Sequence, residues 1–200
     1  MLCQWRILNG ETRRSDAEAT IENEYCIFKV VDRANGNVID TIQCGMGAAE
    51  DFFRMITYEK LPIFNPLVGD IDGGDGREPH GGDGGDGGRH AVIWNPLARQ
   101  LYNAIMWTII LINAEPDTTI YKIKEQVYQY KQYEPFDSKI KAVNTIIRIK
   151  LNGITLTEAI NQKRINNNLR DNMCQFNLIQ TKLDNMTDKD GNAIHIISYF

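Results

Sequence analysis

The chain has 200 residues, 42% of them hydrophobic and 24% charged, with a net charge of −4. That length and balance suit a globular protein able to bury a real core, and argue against a disordered or fibrous chain. The four cysteines (Cys3, Cys26, Cys44, Cys174) contain no Cys-x-x-Cys pair, which disfavours a zinc ribbon or a disulfide framework.

Cys3–Leu8 reads as a short strand stopping at Asn9-Gly10, and residues 11 to 23 have no clear period. The strongest local signal is YCIFKVV–DRANGN–VIDTIQC, two β-branched runs around Asn-Gly, which predicts a hairpin over 25–44. A type I turn at Ala34-Asn35 with Gly36 left-handed opposes Cys26 to Cys44, Phe28 to Ile42 and Val30 to Asp40. This register keeps one apolar face better than a two-residue turn. The neighbouring thiols read as core residues and not as a redox pair.

Gly45-Met-Gly47 then opens a predicted helix, with Ala48, Phe52, Met55 and Ile56 expected on the sheet. A phosphate cradle is disfavoured there, because Glu50 and Asp51 already complement the helix dipole and no Gly-Lys-Ser/Thr follows. Residues 69–90 hold ten glycines and almost no apolar side chain. They predict a flexible loop between an αβ part (1–68) and a helical part (91–186). Asp70, Asp72, Asp75, Asp83, Asp86, His80 and His90 lie in it without the spacing of a calcium loop. No metal site or cofactor is expected, and a metal-dependent hydrolase is the least favoured function.

Residues 96–114 predict a buried central helix, capped by Asn95 with Pro96 at its first position and apolar nearly all round. Its apolar run is too short for a bilayer, so no membrane association is expected. Three amphipathic stretches follow. In 118–133, Ile120, Ile123, Val127 and Tyr130 face inward and Lys124 and Lys131 flank Tyr128 outside. In 138–151, Ile140, Val143, Ile147 and Leu151 face inward and Lys141 and Arg148 point out, with Asn152-Gly153 as the stop. Thr155 to Glu158 is a capping box for a helix through Lys163, and Leu169, Met173, Phe176 and Leu183 mark a further one. Residues 187–200 predict a turn and a terminal strand that rejoins the N-terminal hairpin. The fold class is α+β: a small antiparallel sheet with one helix, then a helical bundle around 96–114.

Function is less legible. Residues 1–98 carry 9 Lys and Arg against 16 Asp and Glu, whereas 118–182 carry 11 against 5. Lys122, Lys124, Tyr128, Lys131, Lys141 and Arg148 form a basic, aromatic set of the kind that meets nucleic acid. Trp94, Tyr102 and Trp107 are the candidates for an apolar interface. No catalytic motif stands in an ordered context; a Cys-His pair such as Cys44 with His195 is conceivable if the strands adjoin, and a buried strand histidine is the favoured reading. The expectation is a non-catalytic accessory protein acting through a protein partner, with nucleic-acid binding as the alternative. Separate, unpaired cysteines and the absence of an export pattern in the first residues point to the cytoplasm.

Overall fold

The computed structural model describes residues 3–6, 12–56, 64–65, 70–71, 94–167 and 175–200. In chain order these form β1 (Cys3–Arg6), β2 (Arg13–Arg14), β3 (Thr20–Ile21), β4 (Glu24–Val31), β5 (Val38–Gly45), α1 (Met46–Ile56), β6 (Phe64–Asn65) and β7 (Asp70–Ile71). Then come α2 (Pro96–Leu111), α3 (Thr119–Gln129), α4 (Asp137–Lys150), α5 (Leu156–Asn167) and α6 (Asn177–Asp184). The protein is α+β. One sheet has the order β5-β4-β1-β6-β7, its β1–β6 pairing parallel and the rest antiparallel, and β2 pairs with β3 in a second. Among the described residues no helix is long and apolar enough to cross a membrane.

The hairpin has the expected register: Cys26 faces Cys44, Phe28 faces Ile42 and Val30 faces Asp40. Gly36 sits at φ +71°, where a Cβ is disfavoured. Beyond Val30 the pairing slips by a bulge, so that Val31 faces Val38. Two faces of β4 are covered, not one. Tyr25 and Ile27 pack into the main core with α2, while Cys26 and Phe28 join Cys44, Ala49 and Phe53 under α1. A strand between two layers is buried without alternation, which is why Tyr25 to Phe28 are all inaccessible.

The stretch 45–47 is a tight corner, β5 ending at Gly45 and α1 beginning at Met46. The inward face of α1 differs from the expected one by one residue. Ala49 and Phe53 are buried and Phe52 is half-buried, whereas Ala48, Met55 and Ile56 are exposed. Phe28 decides this orientation, because it holds the rings of Phe52 and Phe53 at 5.0 and 5.4 Å.

Helix α2 is the core, as its all-round apolar surface requires. The Asn95 side chain accepts the N–H groups of Leu97 and Ala98, and Pro96 follows at the first helical position. The helix ends at Leu111, not Ala114, where Asn113 turns left-handed at φ +45°. It packs against α3, α4, α5 and α6, and the rings of Trp107 and Phe64 of β6 meet edge to face with centroids 5.7 Å apart.

Helix α4 presents Ile140, Val143 and Ile147 inward as expected, adds Asn144, and stops at Asn152-Gly153 with both residues left-handed. The capping box forms at Thr155 and Glu158, and its helix runs on to Asn167. Leu169 and Met173 lie outside the described residues, as does the loop 69–90 apart from Asp70 and Ile71.

The C-terminal segment takes a different place from the expected one. Residues 194–200 form no strand and do not pair with the hairpin. Leu156 N–H donates to Tyr199 C=O, and Asn144 bonds the backbone at Ile197 and Tyr199. Their alternation is real, since His195 and Ile197 are exposed while Ile196 is half-buried. What they pair with is the helical layer. The hairpin offers them little: β4 is paired on both sides, and at Gln43 the outer edge of β5 is bonded by Asp16.

Candidate functional site

Two features lie near the C-terminal end of α3. The first is a groove of about 570 Å³ lined by Ala98, Gln126, Val127, Gln129, Tyr130, Tyr133, Glu134, Pro135, Phe136 and Lys139. Its aromatic wall is open to solvent: Tyr130, Tyr133 and Phe136 are 57%, 61% and 77% exposed. The walls are tied down. Lys182 Nζ lies 2.7 Å from Glu134 and 3.4 Å from Asp137, and Lys139 Nζ donates to Gln126 Oε1. Hydrogen bonding to Glu134 raises the Lys182 pKa above the ordinary lysine range.

Phe136 stands at the N-cap position of α4 and makes no side-chain cap. A Ser, Thr, Asp or Asn there contributes about 1 kcal/mol. A large apolar side chain in that place serves neither the helix nor the core. Chemically, exposed tyrosines, a proline and a phenylalanine supply rigid contact area with polar tips, the composition of interface anchors.

The second feature is an aromatic cluster beside the first turn of α2. Trp94, Tyr102 and Tyr128 have ring centroids 5.2 to 5.9 Å apart. Lys131 Nζ lies 3.9 Å from the Tyr128 centroid and 5.7 Å from that of Trp94. The Asn95 N–H donates to Lys131 C=O at 2.8 Å, which joins the start of α2 to the end of α3.

The residues expected to form a basic stripe differ widely in exposure. Lys122 and Arg148 are exposed, and Lys141 and Lys131 are half-buried. Lys124 is 1% exposed, with its Nζ 5.6 Å from the Tyr121 ring centroid. It belongs to the interior, because α3 turns Tyr121 and Lys124 inward and Tyr130 outward. A long aliphatic stem lets a lysine serve as packing, which helical periodicity alone misreads.

The expected interface residues also move inside. Tyr102 and Trp107 are 1% and 0% exposed, and Trp94 is half-buried. The exposed aromatic patch lies instead at Tyr130, Tyr133 and Phe136. A phenylalanine directly after Glu134-Pro135, where a helix cap is due, was the available signal.

Cys44 and His195 do not form a pair. Cys44 is buried in the cluster under α1, while His195 is exposed on the segment docked against the helices. Burial, with Asp16 nearby, pushes the Cys44 thiol pKa up, which keeps it protonated at neutral pH. Among the described residues no group of three His, Cys, Asp or Glu side chains is arranged to hold a metal. The acidic and histidine side chains of the glycine loop lie outside the description.

No curated protein and no solved structure matches this chain. A family model described as "Uncharacterised conserved protein UCP028583" matches residues 2–191, and the chain belongs to that family.

Proposed function

We propose that this is a non-catalytic accessory protein of the cytoplasm that acts by seating a protein partner in the groove between α3 and the start of α4. The observation that carries the reading is Phe136, 77% exposed at a cap position it cannot cap. Tyr130 and Tyr133 extend the same wall, and the Lys182 bridge to Glu134 and Asp137 gives it a fixed shape. Pre-formed aromatic walls limit the ordering cost of association. The reading predicts a separation of function. Phe136→Ser supplies a cap, so the fold holds its stability or gains up to about 1 kcal/mol, while the partner is lost. A photo-crosslinking amino acid placed at Phe136, with a second at exposed Ile165 as control, identifies the partner. A partner captured only from position 136, and no longer retained by Phe136→Ser in a pull-down without crosslinking, supports the reading. A partner whose binding is indifferent to Phe136→Ser and Tyr133→Ser overturns it.

Nucleic-acid binding is the second reading, supported by exposed Lys122 and Arg148 in the basic part of the chain. A salt titration of oligonucleotide binding tests it, comparing the protein with Lys122→Glu/Lys141→Glu/Arg148→Glu. Steep weakening with salt and loss in the triple variant favour it. No binding at low salt removes it.

A further inference from the structure

We infer that Trp94 and Tyr128, with Tyr102 behind them, form a seat for an alkylated ammonium group, which Lys131 of the same chain occupies in its place. The rings lie 5.2 to 5.9 Å apart and are set at 46 to 61° to one another, in direct contact as one aromatic cluster. The Lys131 ammonium, 3.9 Å from the Tyr128 centroid and 5.7 Å from that of Trp94, shows that the faces of these two rings take a cation. Electrostatic attraction to the ring faces is the cause, and it strengthens as the cation sheds water.

A primary ammonium is a poor match for such a seat, because it is compact and strongly hydrated. A quaternary ammonium spreads the same charge over methyl groups, gives up its hydration easily and fills more of the ring surface. Lys131 compensates by its tether, which presents it at a high effective concentration. The arrangement is therefore a cation seat with a built-in competitor. The site is separate from the groove of the proposed function, whose lining does not include Trp94, Tyr128 or Lys131. Either can fail without the other.

Two probes distinguish a free small cation from a modified side chain: choline and the amide of Nε-trimethyl-lysine. Binding is followed by the indole N–H resonance of Trp94, assigned with Trp94→Phe, in the intact protein and in Lys131→Ala. At constant ionic strength, Lys131→Ala is expected to bind at least one probe about tenfold more tightly than the unaltered chain, since removing a tethered competitor restores the lost affinity. Lys131→Ala/Tyr128→Leu should lose that binding. Choline alone would make the ligand a free quaternary amine, and the lysine derivative alone a methylated protein. If Lys131→Ala is folded by circular dichroism yet neither probe moves the Trp94 resonance, the inference is overturned. Equal movement by sodium chloride overturns it as well. Lys131→Met, which keeps the aliphatic stem but no charge, guards against a collapsed seat and should bind at least as well as the unaltered chain.

Discussion

The side chain of Asn144 bonds Tyr199 as a neighbouring strand would. Its Oδ1 accepts the Tyr199 N–H at 2.8 Å while its Nδ2 donates to Ile197 C=O at 2.8 Å. One amide thus presents a donor and an acceptor to an extended backbone, and a helix becomes a docking edge for the C-terminal segment. Buried Phe200 anchors the far end, 6.2 Å from Phe176.

Asn144→Ala removes both bonds and strands two backbone groups at a part-buried site. A cost of about 2 to 3 kcal/mol is expected, read as a lowered urea midpoint. Amide exchange at Leu156, whose N–H depends on Tyr199 C=O, should accelerate with it. Unchanged protection at Leu156 would show that the segment is held by its apolar side chains alone.

Lys124 separates a core role from a surface role. Lys124→Met keeps the aliphatic stem that packs in the core, so it should cost less stability than Lys124→Glu. Lys124→Glu places a carboxylate among Ile120, Tyr121 and Val127 and should cost at least ~3 kcal/mol. Thermal denaturation of the two variants decides. Equal stability would return Lys124 to the surface.

Phe53 and Met55 lie on one helix with opposite surroundings. Phe53→Ala should cost about 3 to 5 kcal/mol, because it opens a cavity under α1. Met55→Ala, at a side chain 68% exposed, should change stability by less than ~0.5 kcal/mol. Chemical denaturation checks both, and a large effect at Met55 would mean that α1 is rotated.

Ionisation makes opposite predictions at the two ends of the pH scale. Bonds from the Thr155 N–H and hydroxyl hold the Glu158 carboxyl below its ordinary range, and the Asn192 side chain and backbone do the same for Asp188. Both groups therefore contribute stability above the ordinary carboxylate range and lose it as pH falls through their lowered values. Lys182 is raised by Glu134, so its contribution is complete at neutral pH and fades only above the ordinary lysine range. Against the unaltered protein, Glu158→Gln should show a deficit at pH 7 that shrinks in acid. Lys182→Met should show one that shrinks in strong base. A deficit independent of pH would assign the effect to packing.

Local chemistry was legible in the order of residues. The Asn95-Pro96 start of α2, the Thr155–Glu158 box, the Asn152-Gly153 stop and the hairpin register all depend on groups within a few residues of each other. Such signals need no knowledge of the rest of the chain. The burial of α2 was equally plain, since a helix apolar on every side has no other place to go.

Choices between similar faces were not legible. Whether Lys124 or Tyr130 turns inward, and whether Ala48 or Ala49 meets the sheet, differ by a modest rotation about a helix axis. Phe28 and the elements packed around α3 set that rotation. The C-terminal segment declared its extended shape but not its partner, because an alternating pattern names a face to bury and not the surface that buries it. Sequence by itself determined the hairpin, the helical segments and the helix starts and stops that carry local caps. The tertiary structure decided which way each one faces, and so left Phe136 in solvent and brought Lys131 onto Tyr128, because burial is shared among distant segments and no local pattern records it.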